Sequence, residues 1–320
     1  MQQSLVLFDS EDPFKVKLAT QLRQLAERRL FLGGSSWKYE GWIGSIYSPG
    51  RYRVKGRFSK KCFEQECLVE YAETFPIVCG DFAFYQFPTR AFWQKLFQQV
   101  PAPFHFAFKA PEEITLPSFP KLPRYGPRAG AINPGFLDAE FFRAQFLDLL
   151  RPYRDRVAVI IFEFAAGLTK CFESAAVFAE AIDKFFAALP KDFRFAVEIR
   201  SPIFLDSSYF DALRKNNVAH VFNAWTGMPE MTEQIKEPDS FTAGFTVARA
   251  LLRVGRSYEE SVRSFAPYRE LKEQNAEVRA ALRNLLIRAK QRAEPTFIFV
   301  NNRLEGFAPG TIAAVIENLI

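Results

Sequence analysis

VAVIIFE, residues 157–163, is the stretch of sequence that decides the fold. All of its residues except the last are apolar, so it shows no alternation between a buried and an exposed face. A strand has this composition when both of its faces are buried, as in a parallel sheet covered by helices. FIFV, residues 297–300, repeats the pattern near the other end of the chain. We therefore expect a buried parallel sheet.

Other β-prone segments follow one another along the chain, separated by segments with helical periodicity. The predicted strands are Phe31–Ser36, Pro76–Asp81, Phe104–Lys109, Val157–Glu163, Phe193–Ile199, Val218–Asn223, Thr242–Arg249 and Thr296–Asn301. The predicted helices are Leu5–Arg29, Glu64–Thr74, Arg90–Gln99, Asp138–Pro152, Phe172–Leu189, Ser207–Asn216, Tyr258–Lys290 and Pro309–Leu319. This alternation predicts an α/β fold, a TIM-like (β/α)8 barrel. An open α/β sheet is the alternative, but no GxGxxG motif follows an early strand to support its dinucleotide-binding version.

The barrel accounts for most of the chain. Its 320 residues are 48% hydrophobic, which is enough for one large core. Barrels of this kind often reach this length as a single domain. We expect residues 1–29 to form an N-terminal helical extension and residues 30–320 to form the barrel domain.

Composition also bears on the protein's surroundings. No stretch of 18 or more apolar residues occurs, so we expect no membrane-spanning helix and no membrane partner. The N-terminus carries early acidic residues and does not resemble a secretory signal. Four cysteines are too few for a disulfide scaffold in a chain of this size. These observations predict a cytoplasmic protein with reduced thiols, and they do not indicate an oligomeric state.

Polar residues recur where the predicted strands end. In a closed parallel barrel the carboxyl ends of all strands meet at one mouth, which is where barrel enzymes place their active sites. We therefore expect a polar ligand site there. The candidate residues are Trp37, Asp81, Tyr85, Lys109, Glu163, Glu198, Arg200, Arg249, Asn301 and Asn302.

These residue types suggest roles. Glu198 and Glu163 are candidates for the acid and base of a hydrolase, with Lys109 as a third catalytic candidate. Arginine side chains suit phosphate or carboxylate groups, amides orient ligands through hydrogen bonds, and aromatic rings stack on sugars or bases. The substrate-binding candidates are Arg200, Asn301, Asn302, Trp37, Tyr85, Asp81 and Arg249. The alternative is that the charged residues form a buried ion network that only closes the top of the barrel.

Other chemistries have little support in the sequence. Only two histidines occur, His105 and His220, and both lie inside predicted strands. Cys62 and Cys67 have no second pair that would complete a zinc site. No phosphate-binding P-loop is present. We predict no metal and no cofactor, and a small anionic or sugar-like substrate if the protein is an enzyme.

Two loops rich in basic residues support a different function. Residues 51–61 contain six Arg and Lys residues, interleaved with Tyr52 and Phe58, which could stack on bases. Residues 121–128 contain three more. The net charge of +6 is compatible with an anionic partner. A non-catalytic protein with a degenerate site that binds nucleic acid is therefore the second hypothesis.

Five stretches containing these residues resemble one family, in order along residues 30 to 320. They are GGSSWKYEGWIGSIYSP (33–49), LVEYAETFPIVCGDFAFYQFP (68–88), FHFAFKAPEEIT (104–115), FAVEIRSPIF (195–204) and FVNNRLEGFAP (299–309). They are similar to motifs of the domain of unknown function 72, or YecE-like, family, including its Glu-x-Arg at Glu198 and Arg200. The resemblance implies a TIM-like barrel and supplies no reaction, because the family is uncharacterised.

The chain also departs from the motifs of that family. The family has Glu and Asn in its second strand where this chain has Cys79 and Asp81, and His where this chain has Leu116. These differences remove titratable groups from the expected site. The resemblance therefore implies a divergent member with altered or lost chemistry.

Overall fold

A computed structural model describes residues 12–319, and its core is a closed barrel of parallel strands. The strands are β1 (Leu30–Gly34), β2 (Ile77–Gly80), β3 (His105–Lys109), β4 (Val157–Phe164), β5 (Phe195–Ile199), β6 (Ala219–Ala224), β7 (Thr246–Ala250) and β8 (Thr296–Val300). Each strand pairs with the next along the chain, and β8 pairs with β1 from Leu30 opposite Thr296 to Gly34 opposite Val300. The predicted barrel is therefore confirmed, with every strand end within four residues of its predicted position.

Helices surround the barrel. They are α1 (Pro13–Glu27), α2 (Lys60–Thr74), α3 (Phe82–Tyr85), α4 (Arg90–Gln98), α5 (Glu112–Thr115), α6 (Ala139–Phe142), α7 (Asp148–Leu150), α8 (Ala175–Ala188), α9 (Ser207–Lys215), α10 (Met231–Lys236), α11 (Tyr258–Phe265), α12 (Ala276–Arg292) and α13 (Ala308–Ile316). A two-stranded hairpin, Arg53–Val54 with Arg57–Phe58, precedes α2. Its turn places Lys55 and Gly56 at positive φ, as a two-residue hairpin loop requires.

Two predicted helices differ from those observed. The segment Tyr258–Lys290 contains α11 and α12 with residues 266–275 between them, because Pro267 has no N–H to continue the first helix and Asn275 begins the second. The side chain of Asn275 accepts a hydrogen bond from the Val278 N–H at 3.1 Å. The segment Asp138–Pro152 contains α6 and α7, joined by a single π-helical turn, Arg143–Leu147.

The core has two layers. Small and β-branched side chains, among them Ile77, Val159 and Val221, fill the barrel interior together with Phe245, Phe297 and Phe299. A larger layer rich in phenylalanine lies between the strands and the helices. Leu18, Leu22 and Leu25 of α1 are buried in that same outer layer, so α1 packs directly on the barrel. The boundary proposed at residue 29 remains a prediction, and residues 5–11 of the predicted first helix lie outside the described residues.

Candidate functional site

The two-residue period of the strands places a charged layer at the top of the barrel interior. Interior residues of the second, fourth and seventh strands are Cys79, Ile161 and Val247. Since side chains of a strand alternate between its two faces, the residue two positions later also points inward. These later residues are Asp81, Glu163 and Arg249. On the third, fifth, sixth and eighth strands, the residues at the corresponding position are Lys109, Glu198, Asn223 and Asn301. The polar residues at the strand ends are therefore brought to one mouth.

The charged members of this layer form a continuous ion network. The Glu163 Oε2 atom lies 3.0 Å from Lys109 Nζ, 2.7 Å from Arg200 Nη2 and 3.3 Å from Arg249 Nη1. Glu198 pairs with Arg200 at 2.6 Å and also contacts Arg249. Arg249 Nη2 lies 3.4 Å from Asp81 Oδ1, at the edge of the network. Three cations thus face three carboxylates, and their formal charges cancel.

Most of this network is sealed from solvent. Glu198 and Arg249 are buried, and two aromatic rings cover the other cations. The Lys109 ammonium lies 3.5 Å from the centre of the Phe84 ring, and the Arg200 guanidinium lies 3.7 Å from the centre of the Trp225 ring. Both are cation–π contacts, which stabilise a cation that has lost its water. This arrangement has the features of the buried ion network that was the alternative interpretation of these residues.

The charges in the network fix the ionisation of Glu163. Burial alone would raise the pKa of its carboxyl group, because a charged group loses hydration in the interior. The neighbouring Arg200, Lys109 and Arg249 outweigh burial and hold the pKa of Glu163 well below its usual range. The lowered pKa favours the ionised form of Glu163, which suits a base better than an acid, and its catalytic role remains a prediction.

A cleft of about 580 Å³ opens beside the network. Its inner end, formed by the ends of β1, β2 and β8, contains Ser35, Asp81 and Asn301. Its outer part lies between α2 and α4. Aromatic side chains form much of the wall of the whole cleft. These are Trp37, Tyr39, Phe82, Tyr85, Phe92 and Tyr258. The volume falls in the range of about 300 to 1,000 Å³ typical of small-molecule sites.

The structure divides the predicted site residues into three groups. Trp37, Asp81, Tyr85 and Asn301 line the cleft. The ion network contains Lys109, Glu163, Glu198, Arg200 and Arg249. Among these five residues, only Glu163 is appreciably exposed. Asn302 belongs to neither, because its side-chain oxygen accepts hydrogen bonds from Trp42 Nε1 at 3.2 Å and from the Ala308 N–H at 2.7 Å inside the core. The functional roles of all these residues remain predictions.

Asp81 is the residue that joins the cleft to the network. Its side chain is 42% exposed, whereas that of its partner Arg249 is 2% exposed. It lies two residues after Cys79 on β2, at the start of α3. A substrate in the cleft would therefore meet the Asp81 carboxylate before any other member of the network.

Several cleft residues were not among the predicted ones. Tyr39 follows β1, Tyr258 begins α11 after β7, and Lys95 lies on α4. Tyr39 lies inside the motif GGSSWKYEGW, which is a signal that could have identified it. The other two come from a helix start and a helix face, where the sequence gives no sign of a ligand. Ser35, at the inner end, has a buried Oγ without a hydrogen-bond partner within residues 12–319.

The two basic loops have different surroundings. In the hairpin, Arg53, Lys55 and Arg57 are exposed, with no carboxylate within 4 Å among the described residues. In the second loop, Arg124 pairs with Glu112 at 2.9 Å and Arg128 pairs with Glu113 at 3.2 Å. The charge of the second loop is therefore largely neutralised.

The prediction that Tyr52 stacks on bases is wrong. Its ring is buried against Tyr47 and Phe63, and its hydroxyl donates a hydrogen bond to Glu70 Oε2 at 2.6 Å. The aromatic residues of this loop occupy a core position at Tyr52 and a surface position at Phe58, which is 43% exposed. Only Phe58 is available to a partner.

Three further observations concern the described part of the chain. Between residues 12 and 319, no three or more His, Cys, Asp or Glu side chains cluster as metal ligands would. None of the helices described combines the length and the apolar character needed to cross a bilayer. Cys62, Cys67, Cys79 and Cys171 are free thiols.

The comparisons with known proteins identify a family and a fold. A family model described as protein of unknown function DUF72 matches residues 31–320. A DUF72 family protein from Thermotoga maritima superposes with a TM-score of 0.60 at 18% identity, covering 91% of this chain and 98% of that one. A DUF72 family protein from Enterococcus faecalis gives a TM-score of 0.60 at 18% identity, covering 90% and 94%. No functionally curated protein matches this chain. The chain belongs to the DUF72 family, whose function is unknown.

Proposed function

We propose that this protein is an enzyme that acts on a small sugar-like or anionic substrate in the cleft at the carboxyl ends of its strands. The observation that carries the proposal is the position of Asp81, whose carboxylate faces the cleft and pairs with the buried Arg249. A carboxylate held by a buried guanidinium keeps a fixed orientation toward a ligand. Preorganised charge of this kind is the largest single contribution to catalysis in many enzymes.

The walls of the cleft suit a polyhydroxylated ligand. Ser35, Asp81 and Asn301 offer a hydroxyl, a carboxylate and an amide at the inner end. Trp37 and Tyr85 offer aromatic faces on which the C–H groups of a sugar ring can pack. Sites for small molecules combine apolar walls with a few polar groups that fix orientation, as here.

The cleft would also accept an anionic group. Lys38, Lys95 and Arg303 line it, and none of the three has a carboxylate within 4 Å among the described residues. Arg303 is held in place by its contact with the Tyr258 ring, 4.4 Å from the guanidinium carbon. Unpaired cations around a cleft attract anionic substrates and raise their association rate.

The reaction class that we propose is hydrolysis, with Asp81 as the group that contacts the reacting water or hydroxyl. A carboxylate can accept the proton of an attacking water as the new bond forms. Lys109, Glu163, Glu198, Arg200 and Arg249 act through Asp81 in this scheme, as positioning residues behind the cleft. The candidate contacts with the substrate are Asp81, Asn301, Trp37 and Tyr85.

Exchange of the Asp81 carboxylate for an amide tests the proposal. The wild-type protein is screened against nitrophenyl glycosides and nitrophenyl esters of phosphate and carboxylic acids, and the substrate with the highest kcat/KM is kept. We expect Asp81→Asn to lower kcat/KM for this substrate by a factor of about 100 or more, since general acid–base groups contribute about 10² to 10⁴.

The matched control is Asp155→Asn, the same exchange at a side chain that is 92% exposed before the start of β4, at the opposite end of the barrel. It should leave kcat/KM unchanged. A screen without turnover, or equal rates in wild type and Asp81→Asn, would reject the proposal.

The second candidate function is binding of nucleic acid, and the exposed unpaired cations of the hairpin favour it. Phosphate contacts release counterions, so such binding would weaken steeply as salt concentration rises. Affinity that is insensitive to salt would exclude the hairpin as a phosphate-binding surface. Either function is compatible with the cytoplasm, which we keep as the proposed location, since the four cysteines are free thiols.

A further inference from the structure

A second, smaller pocket adjoins the cleft, and we call it the annex. It has a volume of about 200 Å³ and lies between α3 and the loop that follows β3. Its walls include Phe87, Phe119 and Tyr125, and it shares the ring of Tyr85 with the cleft. Tyr85 is 62% exposed, although large aromatic side chains are usually well buried. One exposed aromatic ring thus separates two cavities.

The size of the annex indicates what it can hold. It is smaller than the roughly 300 Å³ at which pockets for whole small molecules begin, so it fits part of a ligand rather than a complete one. An apolar cavity of about 150 Å³ is known to accept benzene. The annex therefore has room for about one six-membered ring, and the rest of the ligand would lie across Tyr85 in the cleft.

The chemistry of the annex favours an uncharged aromatic ring. Its two arginines are already paired, Arg124 with Glu112 at 2.9 Å and Arg128 with Glu113 at 3.2 Å, so it has no surplus charge for an anion. Arg124 also lies over the rings of Tyr85 and Tyr125, at 5.4 Å and 4.8 Å from their centres. This contact holds the Tyr85 ring at the junction of the two cavities.

We infer that the annex is a subsite for an aromatic ring and that Tyr85 is the face on which the ring stacks. Offset or edge-to-face stacking adds to the affinity that comes from burying such a ring. The inference deepens the proposed function and rests on it in one respect, because it makes the substrate a two-part molecule, with a sugar-like or anionic part in the cleft and an aryl part in the annex.

The test uses 4-fluorophenol as the probe, observed by the broadening of its fluorine NMR signal when protein is added. We expect wild-type protein to broaden the signal and Tyr85→Ala to weaken binding at least fivefold. Phe119→Ala, which removes an aromatic side chain from the wall of the annex, should weaken it similarly. Phe119 is buried, so its substitution can prevent folding, whereas Tyr85 is largely exposed. Because Tyr85 lines both cavities, the comparison of Tyr85→Ala with a cleft-only variant then assigns the probe to the annex.

The control is Phe92→Ala, since Phe92 lines the cleft and not the annex and is 40% exposed. It should bind the probe like wild type, and so should Asp81→Asn. The result is thus independent of catalysis by Asp81, and the two proposals can fail separately. Absence of broadening with wild type, equal affinity in Tyr85→Ala, or a loss in Phe92→Ala equal to that in Tyr85→Ala would overturn the assignment.

Discussion

Exposure separates residues that look equivalent in the sequence. Glu198 and Asp81 are both carboxylates at strand ends, and both pair with Arg249. The Glu198 side chain is 0% exposed and the Asp81 side chain is 42% exposed. A buried carboxylate between two guanidinium groups contributes mainly to the stability of the fold. A carboxylate at the opening of a cleft can contact a substrate. Because of this difference in exposure, we favour Asp81 over Glu198 as the candidate catalytic residue.

Glu198→Gln should therefore reduce stability strongly. The change removes one of three negative charges and leaves Arg200 and Arg249 less compensated in the interior. Breaking a buried ion pair costs about 3–5 kcal/mol in the free energy of unfolding. Urea denaturation followed by circular dichroism measures this loss.

The control for this change is Glu180→Gln, where the carboxylate pairs with Lys184 on the surface of α8. Exposed pairs contribute little, so we expect no measurable change in the urea midpoint. If both variants unfolded at the wild-type midpoint, the buried network would be dispensable for stability.

Apart from Asn302, which lies in the core, the residues predicted at the mouth do meet there, but the sequence did not predict which of them face the cleft. Convergence follows from the parallel direction of the strands, which continuous apolar runs such as VAVIIF indicate, and from the side-chain alternation that every strand has. Access to the network depends on two rings, Phe84 over Lys109 and Trp225 over Arg200. Phe84 lies on the short helix α3 and Trp225 in the loop after β6, and no local pattern predicts where such rings pack.

At the level of elements, strands were easier to predict than helices. Most strands are short and mainly apolar segments. The helices are interrupted by breaks that their periodicity does not show, such as the one between α11 and α12. Helix α10 was not predicted at all. It has six residues, Met231–Lys236, which is too short for a clear helical period.

A carboxyl pair between the start of α10 and helix α12, Glu230 with Glu277, has a consequence for stability. Burial, a hydrogen bond to Glu277 and the charge of Glu277 raise the pKa of Glu230 to about 7, with Glu233 adding to the rise and Arg253 opposing it. Glu277 is itself held by Thr232, whose N–H and hydroxyl donate to its Oε1 at 2.9 and 2.5 Å. The contact between α10 and α12 is therefore most favourable while Glu230 is protonated.

The sign of the pH dependence follows from these pKa values. The ordinary pKa of a glutamate, about 4.3, applies in the unfolded chain, so between about pH 4.3 and 7 the folded state binds the proton more tightly. The stability that protonated Glu230 contributes is fully present below about pH 4.3 and is lost as the pH rises through about 7.

Glu230→Gln should remove this loss. Wild type should lose stability between pH 5 and pH 8, whereas the variant should not. The free energy of unfolding of the variant minus that of wild type should therefore be larger at pH 8 than at pH 5. Urea denaturation at both pH values measures the difference. Glu237→Gln, at an exposed position after the same helix, should show no such change with pH. A difference between Glu230→Gln and wild type that is constant with pH would contradict the raised pKa.

At the scale of the whole molecule, a single topology determines where chemistry can occur. Eight parallel strands that pair in chain order bring Asp81 and Arg249, which are 168 residues apart in sequence, to 3.4 Å. The sequence predicts this topology because barrel strands are buried on both faces and leave long apolar runs. It does not predict the annex, which depends on how the loop after β3 folds against α3.

The central claim is that a substrate binds in the cleft against Asp81, and the position of a bound substrate tests it most directly. The measurement is a crystal structure of Asp81→Asn soaked with the substrate that wild type turns over fastest, since slow turnover preserves the complex. The account predicts substrate density at the inner end of the cleft, within hydrogen-bond distance of position 81 and Asn301. Density elsewhere, on the basic hairpin or at another face of the barrel, would contradict it.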